Sequence, residues 1–270
     1  MIAKSQGRLP TFLIAGAMRC GTTSLNGYLR QHPQVAMSAT KEVHFFDHQF
    51  HRGLDWYRSQ FTTDPAPQAV GEASPNYLFH AEALERIAQM LPDARLVIVL
   101  RNPIDRAYSH YWLDRSLGKV TVPFTDAIDT ELAGERFTYV ARGRYRQQME
   151  RLFTLVERSQ VLVETFEEMV ADPGSVFASV CRFIGVDDSV RPQILGESIN
   201  AYTRYRSVRV RNLSKRLPRT ARRAVGRLNQ RAPARYAAMD PDTRERLASV
   251  FAEANAGIDD LLGRSLPAWG

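Results

Sequence analysis

The sequence predicts a three-layer α/β fold in which a mostly parallel central sheet is flanked by helices. Two observations support this prediction. Short aliphatic runs of strand length alternate with longer stretches whose apolar residues recur at helical spacing, an alternation typical of parallel strands. The run over 94–100 (ARLVIVL) is almost continuously aliphatic, as is typical of a strand covered on both faces.

The N-terminal elements begin this alternation. A short buried strand is predicted over 11–15 (TFLIA), followed by a turn bounded by Gly16 and Gly21. A helix over 22–31 follows and ends before Pro33, because a residue that precedes proline avoids the helical region. Together, the strand, the turn and the helix can present backbone N–H groups and a helix N-terminus to an anion.

The later elements continue the same order. Asn102-Pro103 opens a helix, because proline suits the first helical turn. After the turn, further strands are predicted over 69–72, 94–100 and 161–163. Further helices are predicted over 82–91, beginning at 102, over about 145–156 and over about 240–262. Strands and helices therefore alternate across most of the sequence.

Composition favours one domain in a reducing compartment. The chain has 270 residues, 44% of them hydrophobic, and no linker or internal repeat divides it, so a single domain over 1–270 is predicted. No apolar run approaches the ~20 residues of a membrane span, and the first residues lack the apolar stretch of a signal peptide. Cys20 and Cys181 are the only cysteines, so no disulfide framework is predicted and a cytoplasmic location is expected.

The positive charge is concentrated in one Arg-rich segment. Residues 204–235 contain twelve Lys and Arg and no Asp or Glu, so the rest of the chain is net negative although the total is +7. This pattern indicates a local anionic partner and argues against general coating of nucleic acid. The Arg-rich segment, at about 198–235, is therefore predicted to be a lid or a basic surface, including one that touches a membrane. A solvated basic helix is the alternative.

The turn over 16–23 (GAMRCGTT) predicts a phosphate-loop fold. Its spacing matches the nucleotide-binding pattern G-x-x-x-x-G-K-[ST], except that Thr22 occupies the lysine position. That lysine contacts the β- and γ-phosphates, so a loop without it suits one 5′-phosphate better than a triphosphate. Arg19 instead places a cation inside the loop, where it could neutralise a leaving phosphate.

The residue that follows the strand over 94–100 also argues against an NTPase. In phosphate-loop NTPases a comparable strand ends in an aspartate that helps to hold Mg²⁺. Here the strand is followed by Arg101, whose charge repels a metal and attracts an anion. The two features together predict a nucleotide with two separated anionic groups and no metal site. An ordinary glycine turn and an arginine in a salt bridge are the alternative.

Four segments carry a family resemblance. They are 11–25 (TFLIAGAMRCGTTSL), 41–47 (KEVHFFD), 72–77 (EASPNY) and 100–111 (LRNPIDRAYSHY). They resemble the sulfotransferases that use 3′-phosphoadenosine 5′-phosphosulfate (PAPS), in the branch that contains heparan sulfate and other carbohydrate sulfotransferases. The similarity continues over 143–185 and ends at LLGRSLPAW over 261–269. It implies transfer of a sulfuryl group from PAPS to an acceptor, leaving adenosine 3′,5′-bisphosphate (PAP).

The resemblance also implies site residues. Arg101 and Ser109 match the pair that holds the 3′-phosphate, and Glu42 matches the general base. The loop matches the segment that binds the 5′-phosphosulfate, and the Arg-rich segment matches a loop that closes over the donor. The further donor-binding candidates are Arg19, Cys20, Gly21, Thr22, Thr23 and Ser24, with Arg206, Ser207 and Arg209 in the Arg-rich segment.

Two positions depart from the family pattern. Arg19 stands in the place of the usual loop lysine, which keeps the charge but not the compact ammonium group. Ala73 stands where the heparan sulfate enzymes often have a lysine, which argues against a glycosaminoglycan acceptor.

Sulfuryl transfer requires in-line attack, a base for the acceptor proton and stabilisation of the leaving phosphate. A sulfuryl group carries less negative charge than a phosphoryl group, so fixed cations and loop N–H donors suffice without Mg²⁺. Glu42 is the predicted base, with a solvated ion pair to Lys41 as the alternative. His44 is predicted to orient Glu42 or the acceptor, with a structural histidine as the alternative, and Asp47 ends the same motif.

Two other function classes stay open at this stage. One is a phosphate-loop nucleotide kinase or NTPase, which Thr22 and Arg101 disfavour. The other is a module that binds an anionic surface through the Arg-rich segment. The acceptor is predicted only as a hydroxyl or amine of a sugar, lipid or natural product, and no nucleic acid partner is expected.

Overall fold

A computed structural model describes residues 7–61, 67–197, 237–267 and 269, together with four single positions between 198 and 236. Apart from those four positions, the Arg-rich segment lies outside the described residues. The predicted donor contacts Arg206, Ser207 and Arg209 lie outside them as well.

The centre of the molecule is a five-stranded sheet in the order β2-β3-β1-β4-β5. Its strands are β1 (Phe12–Gly16), β2 (Val35–Met37), β3 (Ala69–Ala73), β4 (Arg95–Leu100) and β5 (Val161–Thr165). All the pairings in this sheet are parallel, which confirms the predicted α/β fold. β1 lies between β3 and β4, so the carboxyl ends of these three strands meet at one edge, where open α/β sheets bind ligands.

Helices connect and flank the strands. They are α1 (Thr22–Leu29), α2 (Gly53–Arg58), α3 (Ala81–Met90), α4 (Pro103–Ser116), α5 (Phe124–Leu132), α6 (Tyr145–Leu155), α7 (Phe166–Ala171), α8 (Pro173–Ile184), α9 (Pro241–Ala254) and α10 (Ile258–Leu262). α4, α8 and α9 begin with the same kind of N-cap. In each, an Asn or Asp side chain accepts hydrogen bonds from N–H groups of the first turn, and a proline follows it. Such a cap contributes about 1 kcal/mol.

The apolar core forms two clusters. The larger one surrounds the sheet, and every residue of β1 is buried in it. The smaller one joins α4, α5 and α9 through Ile104, Phe124, Leu247 and Phe251. The strand over 94–100 is covered as predicted, because only its first residue, Arg95, is exposed.

Several predicted boundaries differ from the structure. α1 ends at Leu29 instead of residue 31, and the single C-terminal helix predicted over 240–262 is wrong. Gly257 adopts a left-handed conformation (φ 72°) between α9 and α10, which interrupts a helix. β2, α2, α5 and α7 were not predicted, and β2, with three residues, is too short to show a period. Within the described ranges, no helix has the length and apolar character needed to cross a membrane.

The contact between β1 and β3 requires a glycine. Gly71 pairs with Phe12, and a Cβ at Gly71 would lie 2.2 Å from the buried Phe12 ring. Gly71→Ala should therefore destabilise the fold by about 1–3 kcal/mol through overpacking, lowering the urea midpoint at an unchanged slope. Gly174→Ala is the control, because its Cβ would meet nothing closer than 3.4 Å. Equal midpoints for the two variants would contradict this packing.

Candidate active site

The loop after β1 is held against β4. The Ala17 N–H donates to the Val99 carbonyl at 2.8 Å, and Arg19 and Gly21 both have positive φ (72° and 82°). A Cβ at Gly21 would come within 2.8 Å of the Phe166 ring, so both conformation and space favour glycine there. Gly21 caps the N-terminus of α1. The structure thus contains the predicted strand, glycine turn and helix in that order, an arrangement that can present N–H groups to an anion.

A cleft opens at this edge of the sheet. The residues that line it are Met18, Arg19, Gly21, Thr22, Thr23, Ser24, Glu42, Pro75, Arg101, Ser109, Leu113 and Phe166. The cleft therefore brings together the loop, the predicted base and the pair predicted to hold the 3′-phosphate. Met18 and Pro75 lie in segments that carry the resemblance but were not predicted as site residues, and nothing in the sequence pointed to Leu113 or Phe166, which reach the cleft through contacts between distant segments.

Two guanidinium groups meet in the cleft. Arg19 Nε donates to Ser109 Oγ at 3.0 Å, and Arg101 Nη1 donates to the Arg19 carbonyl at 3.3 Å. The Arg101 guanidinium also lies over the Phe166 ring, 4.5 Å from its centroid. In the part of the chain that the structure describes, neither arginine forms an ion pair with a carboxylate. Both charges are therefore available to an anion in the cleft.

Cys20 differs from its neighbours in the loop. Its side chain is fully buried, lies 3.9 Å from the Tyr145 hydroxyl and does not line the cleft. Burial raises the pKa of the thiol to about 11, so it stays protonated. A donor contact at this residue would therefore use the backbone, and the side chain serves the core.

The segment 41–47 carries three linked charged groups. His44 Nε2 lies 3.2 Å from Glu42 Oε2, and His44 Nδ1 lies 2.9 Å from Asp47 Oδ2. Lys41 Nζ also contacts Glu42, at 2.7 Å, so the ion pair considered as an alternative does form. The Glu42 side chain is 41% exposed and lines the cleft, which leaves part of the carboxylate accessible.

This arrangement fixes the charges of all three groups. Burial by itself raises the pKa of Glu42, but the His44 hydrogen bond and the Lys41 charge outweigh it and lower the pKa to about 2. Asp47 is lowered to a pKa of about 2 in the same way, by His44 and Asn76 against burial. Hydrogen bonds from Asp47 and then Glu42 raise the pKa of His44 to about 9. At neutral pH an imidazolium thus lies between two carboxylates.

Two further residues extend this chain of contacts. Asn76 Nδ2 donates to Asp47 Oδ2 at 2.6 Å, and Arg142 Nη1 donates to Asn76 Oδ1 at 2.7 Å. The Arg142 guanidinium stacks on Phe79 at 4.1 Å. Sequence reasoning missed both roles, although Asn76 lies within the EASPNY segment that carries the resemblance. The contacts hold Asp47 in place and, through it, His44.

A buried carboxyl joins the segment 41–47 to β3. Glu72 is fully buried and accepts hydrogen bonds from the hydroxyls of Tyr57 (2.6 Å), Ser74 (2.8 Å) and Tyr77 (3.0 Å). The Tyr77 hydroxyl in turn accepts from the Phe45 N–H at 2.9 Å. Burial raises the pKa of Glu72. Its hydroxyl partners thereby fix the backbone around Glu42 and His44.

With this geometry established, similarity to known proteins decides the family. The profile of the sulfotransferase domain matches residues 9–259, which include the whole cleft. The chain belongs to the sulfotransferase family.

Individual relatives agree with this assignment. The sulfotransferase is 29% identical over 289 aligned residues to human bifunctional heparan sulfate N-deacetylase/N-sulfotransferase 3, covering 98% of the chain but 32% of that protein. It therefore spans about a third of the length of such relatives. Human heparan sulfate glucosamine 3-O-sulfotransferase 6 is 34% identical over 66% of the chain and 53% of its own length.

A solved structure shows the same fold. The crystal structure of a sulfotransferase from Alicyclobacillus acidocaldarius is 30% identical and matches with a TM-score of 0.75, covering 97% of this chain and 99% of that one. The similarity therefore extends over the sheet, the loop and the cleft together.

The hydrogen bonds of Glu72 generate a stability prediction. Glu72→Ala leaves three buried hydroxyls without their acceptor, at about 1–3 kcal/mol for each group that finds no new partner. The sulfotransferase should lose at least about 2 kcal/mol, measured by urea unfolding. Glu72→Gln is the matched control, since it keeps one acceptor oxygen and should lose less. If the alanine variant is as stable as wild type, the hydroxyls do not depend on Glu72.

Proposed function

We propose that this sulfotransferase moves a sulfuryl group from PAPS to a hydroxyl or amine of an acceptor, with Glu42 as the general base. One observation carries the proposal: a single cleft contains the loop after β1, two arginines that form no ion pair with a carboxylate among the described residues, and an accessible carboxylate. The arginines suit a doubly anionic donor, and the carboxylate suits removal of a proton from the acceptor.

The loop and the two arginines would bind different parts of the donor. Loop N–H groups and the start of α1 would bind the 5′-phosphosulfate, with the side chains of Thr22, Thr23 and Ser24 beside it. Arg101 and Ser109 would bind the 3′-phosphate. Arg19, which already donates to Ser109, would stabilise the charge that develops on the leaving 5′-phosphate. Fixed cations then supply the charge stabilisation that Mg²⁺ supplies in phosphate-loop NTPases.

The transfer step follows from these positions. The acceptor oxygen or nitrogen attacks sulfur in line, the bond from sulfur to the phosphate oxygen breaks, and that oxygen takes the electron pair. Glu42 accepts the proton that the acceptor loses. His44 and Asp47 would hold the Glu42 carboxylate toward the cleft, and an approaching acceptor would displace Lys41. Displacement of Lys41 would remove part of what lowers the Glu42 pKa to about 2 and so make the carboxylate a stronger base. A positioned base contributes roughly 10²–10⁴-fold.

We propose a carbohydrate as the acceptor class. The heparan sulfate sulfotransferases among the relatives support a sugar, and their names include both N- and O-sulfotransferases. Ala73, fully buried at the end of β3, offers no cation to a polyanionic chain, which favours a less charged sugar. A panel of amino sugars, neutral sugars, lipids and phenols with labelled PAPS, read by mass spectrometry, tests this. Sulfation of lipids or phenols alone would contradict it.

We also propose that residues 1–270 act as one catalytic domain in the cytoplasm and that the Arg-rich segment closes over the donor. The free and buried thiols of Cys20 and Cys181 support a reducing compartment.

The first functional prediction concerns the 3′-phosphate. Arg101→Ala should weaken PAP binding by about tenfold to a hundredfold, because a charge-assisted contact is worth ~1.5–3 kcal/mol. Ser109→Ala should weaken it less, since a neutral hydroxyl contact is worth about 0.5–1.5 kcal/mol. Binding of 5′-AMP, which lacks the 3′-phosphate, should change little in Arg101→Ala. Calorimetry in EDTA measures both nucleotides.

Arg182→Ala is the control for this experiment, because Arg182 pairs with Asp188 on the surface, outside the cleft. Equal losses for PAP and 5′-AMP would show that Arg101 does not read the 3′-phosphate. Tight binding of Mg-ATP together with no PAP binding would overturn the proposed donor and favour the kinase alternative.

The second functional prediction separates chemistry from binding. Glu42→Gln keeps the shape but cannot accept a proton, so turnover should fall by about 10²-fold or more while PAP affinity stays nearly constant. Glu85→Gln, an exposed change on α3, should leave both quantities unchanged. Turnover near the wild-type value in Glu42→Gln, measured in single-turnover experiments, would exclude Glu42 as the base.

A further inference from the structure

A group of potential metal ligands lies beside the proposed base. His44, Asp47 and His48 each place one ligand atom so that all three atoms lie within 4.8 Å of one another. Within the described ranges, this is the one group of three or more His, Cys, Asp or Glu side chains that converges in this way. The proposed transfer reaction does not use the side chain of His48.

The local backbone explains the convergence. The His48 N–H donates to the His44 carbonyl at 3.0 Å, which closes one helical turn. Residues at i, i+3 and i+4 of such a turn lie on one face, as the two histidines of H-E-x-x-H zinc sites do. The His44 and His48 rings lie 5.2 Å apart, with the Asp47 carboxylate in contact with both.

The distances from the Asp47 carboxylate to the two histidines are close to those around a small tetrahedral ion. Asp47 Oδ2 lies 2.9 Å from His44 Nδ1 and 3.7 Å from His48 Nε2. Bonds of 2.0–2.1 Å around tetrahedral Zn²⁺ separate neighbouring ligand atoms by about 3.3 Å, which falls between these values. Two imidazole nitrogens and one carboxylate oxygen favour Zn²⁺ and its neighbours over Mg²⁺ or Ca²⁺, which prefer oxygen.

The hydrogen-bond partners of these side chains also resemble those of known metal sites. Ligand histidines in proteins commonly donate their other ring N–H to a carboxylate, and ligand carboxylates are themselves hydrogen-bonded. Here His44 Nε2 lies 3.2 Å from Glu42, and Asn76 donates to Asp47 at 2.6 Å. The His80 ring lies next to His48, at 5.9 Å between centroids, where a fourth ligand could approach.

We propose that His44, Asp47 and His48 bind a divalent transition cation of the Zn²⁺ class, and that this ion inhibits sulfuryl transfer. The ion would use the two histidines and Asp47, with water or His80 completing the coordination. Inhibition follows because the ion would take the His44 Nδ1 and Asp47 Oδ2 atoms that hold His44 in place, and because its positive charge, so close to Glu42, would make that carboxylate a weaker base. This second part rests on the proposed function of Glu42, whereas binding of the ion does not.

His48 provides the test, because its side chain is 58% exposed and it contributes only to the ion site. Calorimetry would titrate ZnCl₂ into the full chain, without a histidine tag and saturated with PAP. Wild type should bind one ion, and His48→Ala should bind it at least about tenfold more weakly, as losses at metal sites typically do. His51→Ala, an exposed histidine three residues along, is the matched control and should bind as wild type does. MgCl₂ should give no binding.

Turnover supplies the second readout. Without added metal, His48→Ala should work at the wild-type rate. Zn²⁺ should lower kcat in wild type and His51→Ala at concentrations that leave His48→Ala active, without changing PAP affinity. Equal Zn²⁺ affinity in wild type and His48→Ala, or no binding at all, would overturn the proposed site.

The two proposals can fail separately. Zn²⁺ binding that depends on His48 but leaves turnover unchanged would overturn the inhibition. Zn²⁺ binding that depends on His48 in a protein that transfers no sulfuryl group would support the ion site and contradict the proposed function.

Discussion

The cleft depends on how β1 and β4 are paired. Gly16 lies opposite Ile98, and the Ala17 N–H bonds to Val99, so the loop leaves β1 where β4 approaches its own end. Arg101 then emerges beside the loop and donates to the carbonyl of Arg19. A register shift of one residue in either strand would turn these groups to the other face of the sheet. The parallel register therefore places the loop and Arg101 side by side, as the proposed donor site requires.

β3, the third strand at this edge of the sheet, positions the segment that contains the proposed base. β3 ends at Ala73, whose carbonyl accepts the Glu42 N–H at 3.1 Å, and Ser74 Oγ accepts the His44 N–H at 3.2 Å. Glu42 and His44 both have positive φ (60° and 55°), a conformation that persists only where surrounding contacts enforce it. Glu72 supplies that enforcement through its three buried hydroxyl partners. The buried Glu72 carboxyl thus determines where the Glu42 carboxyl can lie.

Local patterns account for what the sequence predicts well. The glycine spacing of the loop, the arginine after an aliphatic strand and the Asn-Pro start of α4 each express a backbone requirement within a few residues. The predictions failed where structure depends on distant contacts or on very short elements. β2 has three residues, and the break at Gly257 depends on one left-handed residue inside an otherwise helical pattern. Asn76 and Arg142 join the site only because the chain brings residues 66 positions apart into contact.

Arg106 is a buried cation that is not among the residues lining the cleft. Its side chain is fully buried, and it donates to the Tyr139 carbonyl, while within the described residues its Nε and Nη1 have no hydrogen-bond partner. Burial lowers its pKa, yet an arginine keeps its proton at neutral pH. Tyr145, Cys20 and Glu131 nearby oppose this effect of burial. In the cleft itself, Arg19 and Arg101 form no ion pair with a carboxylate among the described residues, so a bound anion would compensate both charges. That charge pattern is the one that a donor with two separated phosphate-like groups requires.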